Sequence, residues 1–213
     1  MRRFVGLAVV AASLVLAVAA SAAVVPGVFD PGNTGCVKAT FSKKTLHLEK
    51  NCATSANASA GAEITGVSGQ AFQSASFTLA NASQCQGGSP RFNVVTTTGL
   101  FFLGCNNVTP TTNADGTVTY TFTAQTLAAA GQQVPTPTGT VQSADVLLDV
   151  QGTADLTKIT FNGKLQKPAP GRADFARVCK NGGWKSFTTP KFKNQGQCVK
   201  FVIHGRNAAK RHG

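Results

Sequence analysis

The chain has few of the residues on which enzymes and metal proteins depend. Its 213 residues include eight acidic side chains, three histidines, one Trp and one Tyr. No two of the six cysteines are closer than 16 positions, so the Cys-x-x-Cys pairs that bind zinc are missing. The glycine-rich phosphate loop, the Gly-x-Ser-x-Gly elbow and the His-Glu-x-x-His motif are missing as well. The composition therefore predicts a protein without metal, cofactor or enzymatic activity.

A few side chains remain as catalytic candidates. His47 stands between two leucines, and we interpret it as a strand residue that faces water rather than as a base. Asp145 and Asp149 share one face of a predicted strand, where they could hold Ca²⁺ or act as a glycosidase pair. Their Cα atoms would be roughly 13 Å apart, which is long for a retaining pair. We favour two carboxylates on a wet face, with Ca²⁺ as the alternative.

The first 22 residues have the features of a secretory signal peptide. Arg2 and Arg3 precede an apolar run at 4–20, which is followed by the small-x-small sequence Ala20-Ser21-Ala22. An uncleaved membrane anchor is the alternative, because the run has almost the length of a spanning helix. We predict cleavage near Ala22 and release of an extracellular protein without a membrane span.

The even number of cysteines in an exported chain predicts a disulfide framework. Six cysteines allow fifteen pairings, and the three sequential ones each close a short loop. Each such bond contributes on the order of 3 kcal/mol in the chain-entropy model. We favour the sequential pairs Cys36–Cys52, Cys85–Cys105 and Cys179–Cys198.

The central part of the chain is rich in Thr, Val, Ser, Gly and Phe, which favour strands over helices. The clearest strand is Thr117–Thr123, where threonines alternate with Val118, Tyr120 and Phe122 after an Asp-Gly turn. One face of this strand should be wet and the other buried. A helical turn is expected at Gln125–Ala130, ended by Gly131. Further strands are predicted at residues 36–41, 45–49, 63–67, 76–79, 91–96, 100–104, 145–150 and 158–162.

About nine short strands with polar or glycine-containing connections indicate an all-β fold. We predict an antiparallel β-sandwich of jelly-roll or immunoglobulin-like type. Fourteen Phe against one Tyr and one Trp suggest that aromatic rings mainly fill the core.

Charge divides the chain into two parts. Residues 23–163 carry six basic and seven acidic side chains, whereas residues 164–213 carry twelve basic side chains and a single Asp. Between them, residues 167–171 read Lys-Pro-Ala-Pro-Gly, a composition typical of a linker. We predict a β-sandwich domain at 23–166, a basic disulfide-stapled module at 172–203 and a disordered basic tail at 204–213.

The basic part contains the sequences CKNGGWKSF at residues 179–187 and FKNQGQCVKF at residues 192–201. Together they resemble a C-terminal motif of uncharacterised exported bacterial proteins, chiefly from high-GC Gram-positive bacteria. The resemblance implies a bacterial extracellular setting and no particular activity. The run GSPRFNV at residues 88–94 is similar to a segment found in the sandwich part of such proteins.

The lysines of this module have two interpretations. In the first, the aromatic residues form a small core stabilised by the disulfide, and the lysines are its solvated face. In the second, the basic residues grip an anionic polymer, with the Trp ring as a stacking surface. The candidate binding residues are Lys180, Trp184, Lys185, Lys191, Lys193, Lys200, Arg206, Lys210 and Arg211.

An extracellular location favours teichoic acid, an acidic polysaccharide or an anionic membrane surface as the partner over nucleic acid. Three functions stay open: a secreted binding module, a structural or interaction protein of the cell envelope, and a carbohydrate-active enzyme. A sugar-binding sandwich would carry several Trp or Tyr on one exposed face, which this chain does not offer. We therefore favour a non-catalytic module that binds through its basic end, and no oligomeric state is predicted.

Overall fold

The structure is a computed structural model that describes residues 23–130, 134–169, 179–187 and 191–204. Strands make up 48% of it, and the helices are two and short, so the prediction of a β-rich fold is confirmed. No helix in these ranges has the length and apolar character needed to cross a membrane. The predicted signal peptide at 1–22 lies outside the described residues.

Thirteen strands and two helices follow one another along the described chain. The strands are β1 (Ala23–Phe29), β2 (Val37–Ser42), β3 (Thr45–Lys50), β4 (Ser59–Thr65), β5 (Ala75–Leu79), β6 (Arg91–Thr96), β7 (Gly99–Gly104), β8 (Thr111–Thr112), β9 (Val118–Phe122), β10 (Val141–Leu148), β11 (Gly152–Phe161), β12 (Lys164–Leu165) and β13 (Lys167–Pro168). The helices are α1 (Ala124–Ala129) and α2 (Gln195–His204).

The strands form two sheets. The first has the order β13-β1-β4-β10-β6-β7, and the second has the order β2-β3-β11-β5-β9-β8 with β12 paired to β11. All pairs are antiparallel except β1 with β13. One hydrophobic cluster draws buried residues from both sheets, so the sheets share a core.

Phenylalanine rings form the centre of this shared core. Phe77 of the second sheet lies 5.4 Å from Phe92 of the first, measured between ring centres, and Phe122 contacts both. In β9, Val118, Tyr120 and Phe122 are buried while the intervening threonines point outward. This alternation, and the role of the rings as core, follow the expectation from the sequence.

All nine predicted strands overlap observed ones, and the boundaries of β6 agree with the prediction. The predictions at 145–150 and 158–162 cover only parts of β10 and β11, which begin four and six residues earlier. The predicted helical turn corresponds to α1, which starts at the Thr123 cap, where the Thr126 amide donates to the Thr123 hydroxyl over 3.1 Å. Its predicted end at Gly131 lies outside the described residues.

Three disulfide bonds join the cysteines in sequential pairs. They are Cys36–Cys52, Cys85–Cys105 and Cys179–Cys198, with Cα–Cα distances of 5.5, 5.9 and 5.6 Å. These Cα–Cα distances lie within the range usual for disulfide bonds. The first two bonds belong to the shared core, and the third lies in the C-terminal segment.

The predicted linker at 167–171 begins as part of a sheet. Lys167 and Pro168 pair in parallel with Ala23 and Val24 of β1, and the Ala169 amide donates to the Val24 carbonyl over 3.0 Å. A proline is tolerated here because β13 is an edge strand with one unpaired side. Residues 170 and 171 lie outside the described residues.

The C-terminal segment, residues 179–187 and 191–204, is helical rather than a set of loops. A short 3₁₀ turn at Gly183–Ser186 follows Asn181 and Gly182, which have the left-handed φ values of 50° and 82° expected of a turn. Asn194 caps the start of α2, because its side chain accepts from the Gln197 amide over 2.9 Å. Helix α2 continues to His204, one residue into the predicted disordered tail.

The C-terminal segment packs on the outer face of the first sheet. Its disulfide, Phe187 and Phe201 are buried together with Val95 of β6 and Leu100 of β7. Alternation explains the contact, since the neighbouring residues Phe92, Val94 and Leu103 point into the shared core. The segment is therefore attached to the sheet through an apolar contact of its own.

Candidate functional site

The five lysines predicted in the stapled module are all exposed. We call the surface formed by Lys180, Lys185, Lys191, Lys193 and Lys200 the basic surface. Residues 179–204 contain no Asp or Glu, so no acidic side chain of the segment itself offsets this charge. The rings of Phe187 and Phe201 and both cysteines point the other way, into the cluster against the sheet.

The Trp184 ring has features of both a core residue and an exposed stacking surface. It is half-buried and packs against the cluster of Phe187 and Phe201, as a core residue would. The Lys185 ammonium lies 5.5 Å from the centre of the ring, within the range of a cation–π contact. The ring therefore supports the basic surface and is partly available to a ligand.

Four of the five lysines of the basic surface form no ion pair with the residues that the structure describes. The salt bridges within the described ranges involve His47 and Arg91, and none joins Lys185, Lys191, Lys193 or Lys200 to a carboxylate. Their ammonium groups are thus exposed and uncompensated by neighbours in this part of the chain. Arg206, Lys210 and Arg211, the other predicted members of the patch, lie outside the described residues.

A second polar site surrounds Arg91, the first residue of β6, which was not among the predicted binding residues. Its Nη1 donates to the Asp149 carboxylate, and its Nε donates to the Asn93 Oδ1 over 3.0 Å. The guanidinium also lies 4.9 Å from the centre of the Phe102 ring. Three contacts therefore fix the orientation of one arginine.

Arg91 forms a wall of two clefts at one end of the first sheet. One cleft has a volume of about 240 Å³ and is also lined by Ser55, Asn57 and Asp149. The other has a volume of about 270 Å³ and is also lined by Asn106 and Asn107. Both linings are rich in amide and hydroxyl groups.

Glycine allows the backbone to form the second cleft. Gly88 has a left-handed φ of 81°, and a Cβ there would lie 2.6 Å from Oδ1 of Asn106. A Cβ on Gly104 would lie 2.5 Å from the Gly88 carbonyl oxygen. A larger side chain at either position would displace backbone or the Asn106 side chain from the cleft.

The first cleft depends on the buried side chain of Lys50. This residue is 1% exposed, and its ammonium donates to the backbone carbonyls of Thr54, Ala56 and Asp149 over 3.1, 2.8 and 2.8 Å. Burial lowers the pKa of Lys50, while the charge of Asp149 opposes that shift. Lys50 thus ties the loop that lines the cleft to the end of β10.

Replacing Lys50 by Met should destabilise the protein. The variant keeps the length of the side chain but leaves three carbonyls without their donor, at a cost of about 3 kcal/mol in the free energy of unfolding. Lys44→Met, on an exposed turn, is the matched control and should change stability by less than about 0.5 kcal/mol. Urea unfolding of both variants measures the difference, and equal midpoints would contradict the role given to Lys50.

Asp145 is not on a wet face, and this corrects the prediction. It is 3% exposed and lies directly across from Glu63 of β4, which is 7% exposed. Burial raises the pKa of Asp145 to about 8, with Glu63 adding to the shift and Arg91 and the hydrogen bond from Asn93 opposing it. Its Oδ1 has no hydrogen-bond partner among the described residues. The outer face of this sheet is covered, which alternation within one strand could not reveal.

Asp149, which follows the end of β10, has a different environment from Asp145. Its carboxylate binds Arg91 and borders the first cleft, which Asp145 does not line. Within the described ranges, no group of three or more His, Cys, Asp or Glu side chains could hold a metal ion. The two aspartates thus have different neighbours, Glu63 across from Asp145 and Arg91 bound to Asp149.

His47 lies on the outer face of the second sheet, as predicted, but it is bound to a carboxylate. Its Nδ1 lies 2.8 Å from Oδ1 of Asp155, and its Nε2 lies 3.9 Å from Oε2 of Glu49. Gln84 contacts Asp155 as well, donating to its Oδ2 over 3.2 Å. None of these residues lines either cleft.

The sequence contained one signal for the Arg91 site. Arg91 stands in the run at residues 88–94, after two glycines and a proline, and a basic residue at the start of a strand next to such a turn is placed at a sheet end. Its partner Asp149 lies 58 positions away, so the ion pair could not be derived from spacing.

Comparisons with protein-family models, with curated proteins and with solved structures find nothing that matches this chain.

Proposed function

We propose that this chain is a secreted, non-catalytic binding protein that attaches to anionic polymers through its basic surface. The observation that carries the proposal is the exposure of five lysines on a disulfide-closed segment without an acidic residue. Such a concentration of one charge exceeds what solubility requires and attracts polyanions. Residues 23–163 carry six basic and seven acidic side chains, so the positive charge is concentrated in the C-terminal part of the chain.

The proposal includes an extracellular setting. Three disulfides are compatible with an oxidising compartment, and the first 22 residues have the pattern of a signal peptide. The similarity of the C-terminal motif to exported bacterial proteins supports the same setting. The partners proposed are acidic polysaccharides, teichoic acid or anionic membrane surfaces of the envelope.

We also propose a finer architecture. The two sheets pack face to face as a β-sandwich of jelly-roll or immunoglobulin-like type, and the C-terminal segment forms a stapled module on its outer face. Two separate hydrophobic clusters support this description, one shared by the sheets and one centred on the Cys179–Cys198 bond.

The experiment compares two variants that lose the same net charge. The first replaces all five lysines of the basic surface by Gln. The control replaces five exposed lysines from elsewhere, Lys38, Lys43, Lys44, Lys158 and Lys164, by Gln. Affinity is measured for an acidic polysaccharide, for poly(glycerol phosphate) and for anionic lipid vesicles.

The first variant should bind about a hundredfold to a thousandfold more weakly, since each of the five lysines near a polyanion contributes roughly 0.5–1 kcal/mol. The control should lose less than about threefold. If both variants bind as tightly as the native chain, the basic surface has no role in binding. If the native chain binds none of the three probes, an envelope protein without a polyanion ligand is the better description.

A further inference from the structure

We propose that Arg91 and its two clefts form a second subsite, which recognises the carboxylate of a sugar-acid unit in an acidic polysaccharide. This inference rests on the proposed function, because it names the class of polymer that the basic surface would hold. It assigns to the sheet a recognition role that is distinct from the general attraction by the lysines.

The guanidinium of Arg91 has a fixed orientation before any ligand binds. Asp149, Asn93 and the Phe102 ring fix it from three directions. Its Nη2 makes no hydrogen bond with the described residues, and the side chain is 18% exposed. The cost of ordering a flexible side chain is therefore already met before a ligand arrives.

A planar carboxylate suits this arrangement. The Nε and Nη1 of Arg91 already donate to Asn93 and Asp149, so Nη2 is the nitrogen left to donate a charge-assisted hydrogen bond to a ligand carboxylate. Lys50, the other cation of the first cleft, already donates to three carbonyls and leaves no charge-assisted bond for a ligand. Arg91 is thus the cation of the first cleft that still has N–H groups to donate to an anionic ligand.

The remainder of the lining suits sugar hydroxyls. Ser55, Asn57 and Ser59 lie on one side of Arg91, and Asn106 and Asn107 lie on the other. Each cleft is smaller than the roughly 300–1,000 Å³ of an enclosed small-molecule site. Two small clefts on either side of one cation fit successive units of an extended polymer better than a single sealed ligand.

The subsite and the C-terminal segment, which carries the basic surface, share a contact residue. Phe102 contacts the Arg91 guanidinium and also packs against the cluster that holds Phe187 and Phe201 in the C-terminal segment. One residue of β7 therefore contacts both Arg91 and the apolar cluster of the segment that carries the basic surface. We expect an extended polymer held by the lysines to continue across the first sheet to Arg91.

The test uses three probes and the full chain. The probes are an oligomer of galacturonic acid, the same oligomer with its carboxyl groups reduced to alcohols, and poly(glycerol phosphate). The first variant is Arg91→Lys, which keeps the positive charge but removes the planar guanidinium group. The second is Asn106→Ala, which removes the amide of an exposed cleft residue. Thermal unfolding confirms that each variant is folded.

Arg91→Lys should bind the uronic-acid oligomer about tenfold more weakly than the native chain and should bind poly(glycerol phosphate) unchanged. Asn106→Ala should also weaken the uronic-acid oligomer, by roughly threefold. The oligomer with reduced carboxyl groups should not bind measurably to the native chain or to either variant.

The outcomes separate the two proposals. If the native chain binds no anionic probe, the proposed function fails and the subsite fails with it. If the native chain binds the uronic-acid oligomer and poly(glycerol phosphate) alike, and neither folded variant changes this, the subsite is refuted while the basic surface stands. A preference for the phosphate polymer that depends on Arg91 would also overturn the assignment to a carboxylate.

Discussion

Asp145→Asn is expected to raise the stability of the protein at pH 7 by on the order of 3 kcal/mol. In the native chain, a carboxyl group with a pKa raised to about 8 is buried beside Glu63. Asn has nearly the same shape, carries no ionisable group and can keep the hydrogen bond with Asn93. The substitution removes the cost of keeping a proton on Asp145 in the folded state.

The same group determines how stability changes with pH. Between about pH 4 and 8 the folded chain holds a proton on Asp145 that the unfolded chain has released. Raising the pH through this window therefore lowers the free energy of unfolding, by about 1.4 kcal/mol per unit at most, and the loss levels off above the folded pKa. Asp30 and Asp115, whose pKa values are lowered by hydrogen bonds, act below this window and with the opposite sign.

Denaturant unfolding at pH 5, 6.5, 8 and 9 measures this effect. The native chain should be most stable at pH 5 and lose stability up to pH 8, whereas Asp145→Asn should show little change. Asp115→Asn, in an exposed turn, is the control and should keep the native pH dependence. A native chain that gains stability from pH 5 to pH 8 would show that Asp145 is ionised in the fold.

Removing the Cys179–Cys198 bond is expected to abolish binding through the basic surface while the sheets stay folded. Both cysteines are 0% exposed, and the small cluster that they belong to contains only two other buried residues of the segment, Phe187 and Phe201. Replacing both by Ser removes about 3 kcal/mol of constraint and places two hydroxyls in an apolar cluster. Helix α2 should then unfold, and the lysines should lose their common arrangement.

The matched variant replaces Cys36 and Cys52 by Ser, far from the basic surface along the chain. It should lower the overall stability by a similar amount but keep the affinity for an acidic polysaccharide. Hydrogen exchange of residues 195–204 follows the helix directly. Equal binding by the two variants, with α2 still protected in the first, would contradict the dependence of the basic surface on its disulfide.

The strands could be predicted well from local patterns because a strand produces an alternation of apolar and polar side chains in a few adjacent residues. The alternation of Thr with Val118, Tyr120 and Phe122 identified β9 and its buried face. Strand β1 was missed because its apolar residues continue a run that resembles the end of a signal sequence. Strand β13 was missed because its two residues gain their pairing from β1, more than 140 positions away.

In the candidate site, too, features that depend on local sequence could be predicted, whereas features that depend on distant residues could not. The exposed lysines of the C-terminal segment could be named from charge alone. The burial of Asp145 could not, since it depends on what covers the sheet. The three contacts of Arg91 come from β6, β7 and the residue that follows β10, which only the fold brings together.

The most direct test of the central claim is the salt dependence of binding to an acidic polysaccharide. If the lysines of the basic surface displace counterions from the polymer, the logarithm of the affinity should fall with the logarithm of salt concentration with a slope of about −4. The variant without these five lysines should show less than half that slope, and the variant without five other lysines should keep it. Equal slopes for all three proteins would contradict attachment through the basic surface.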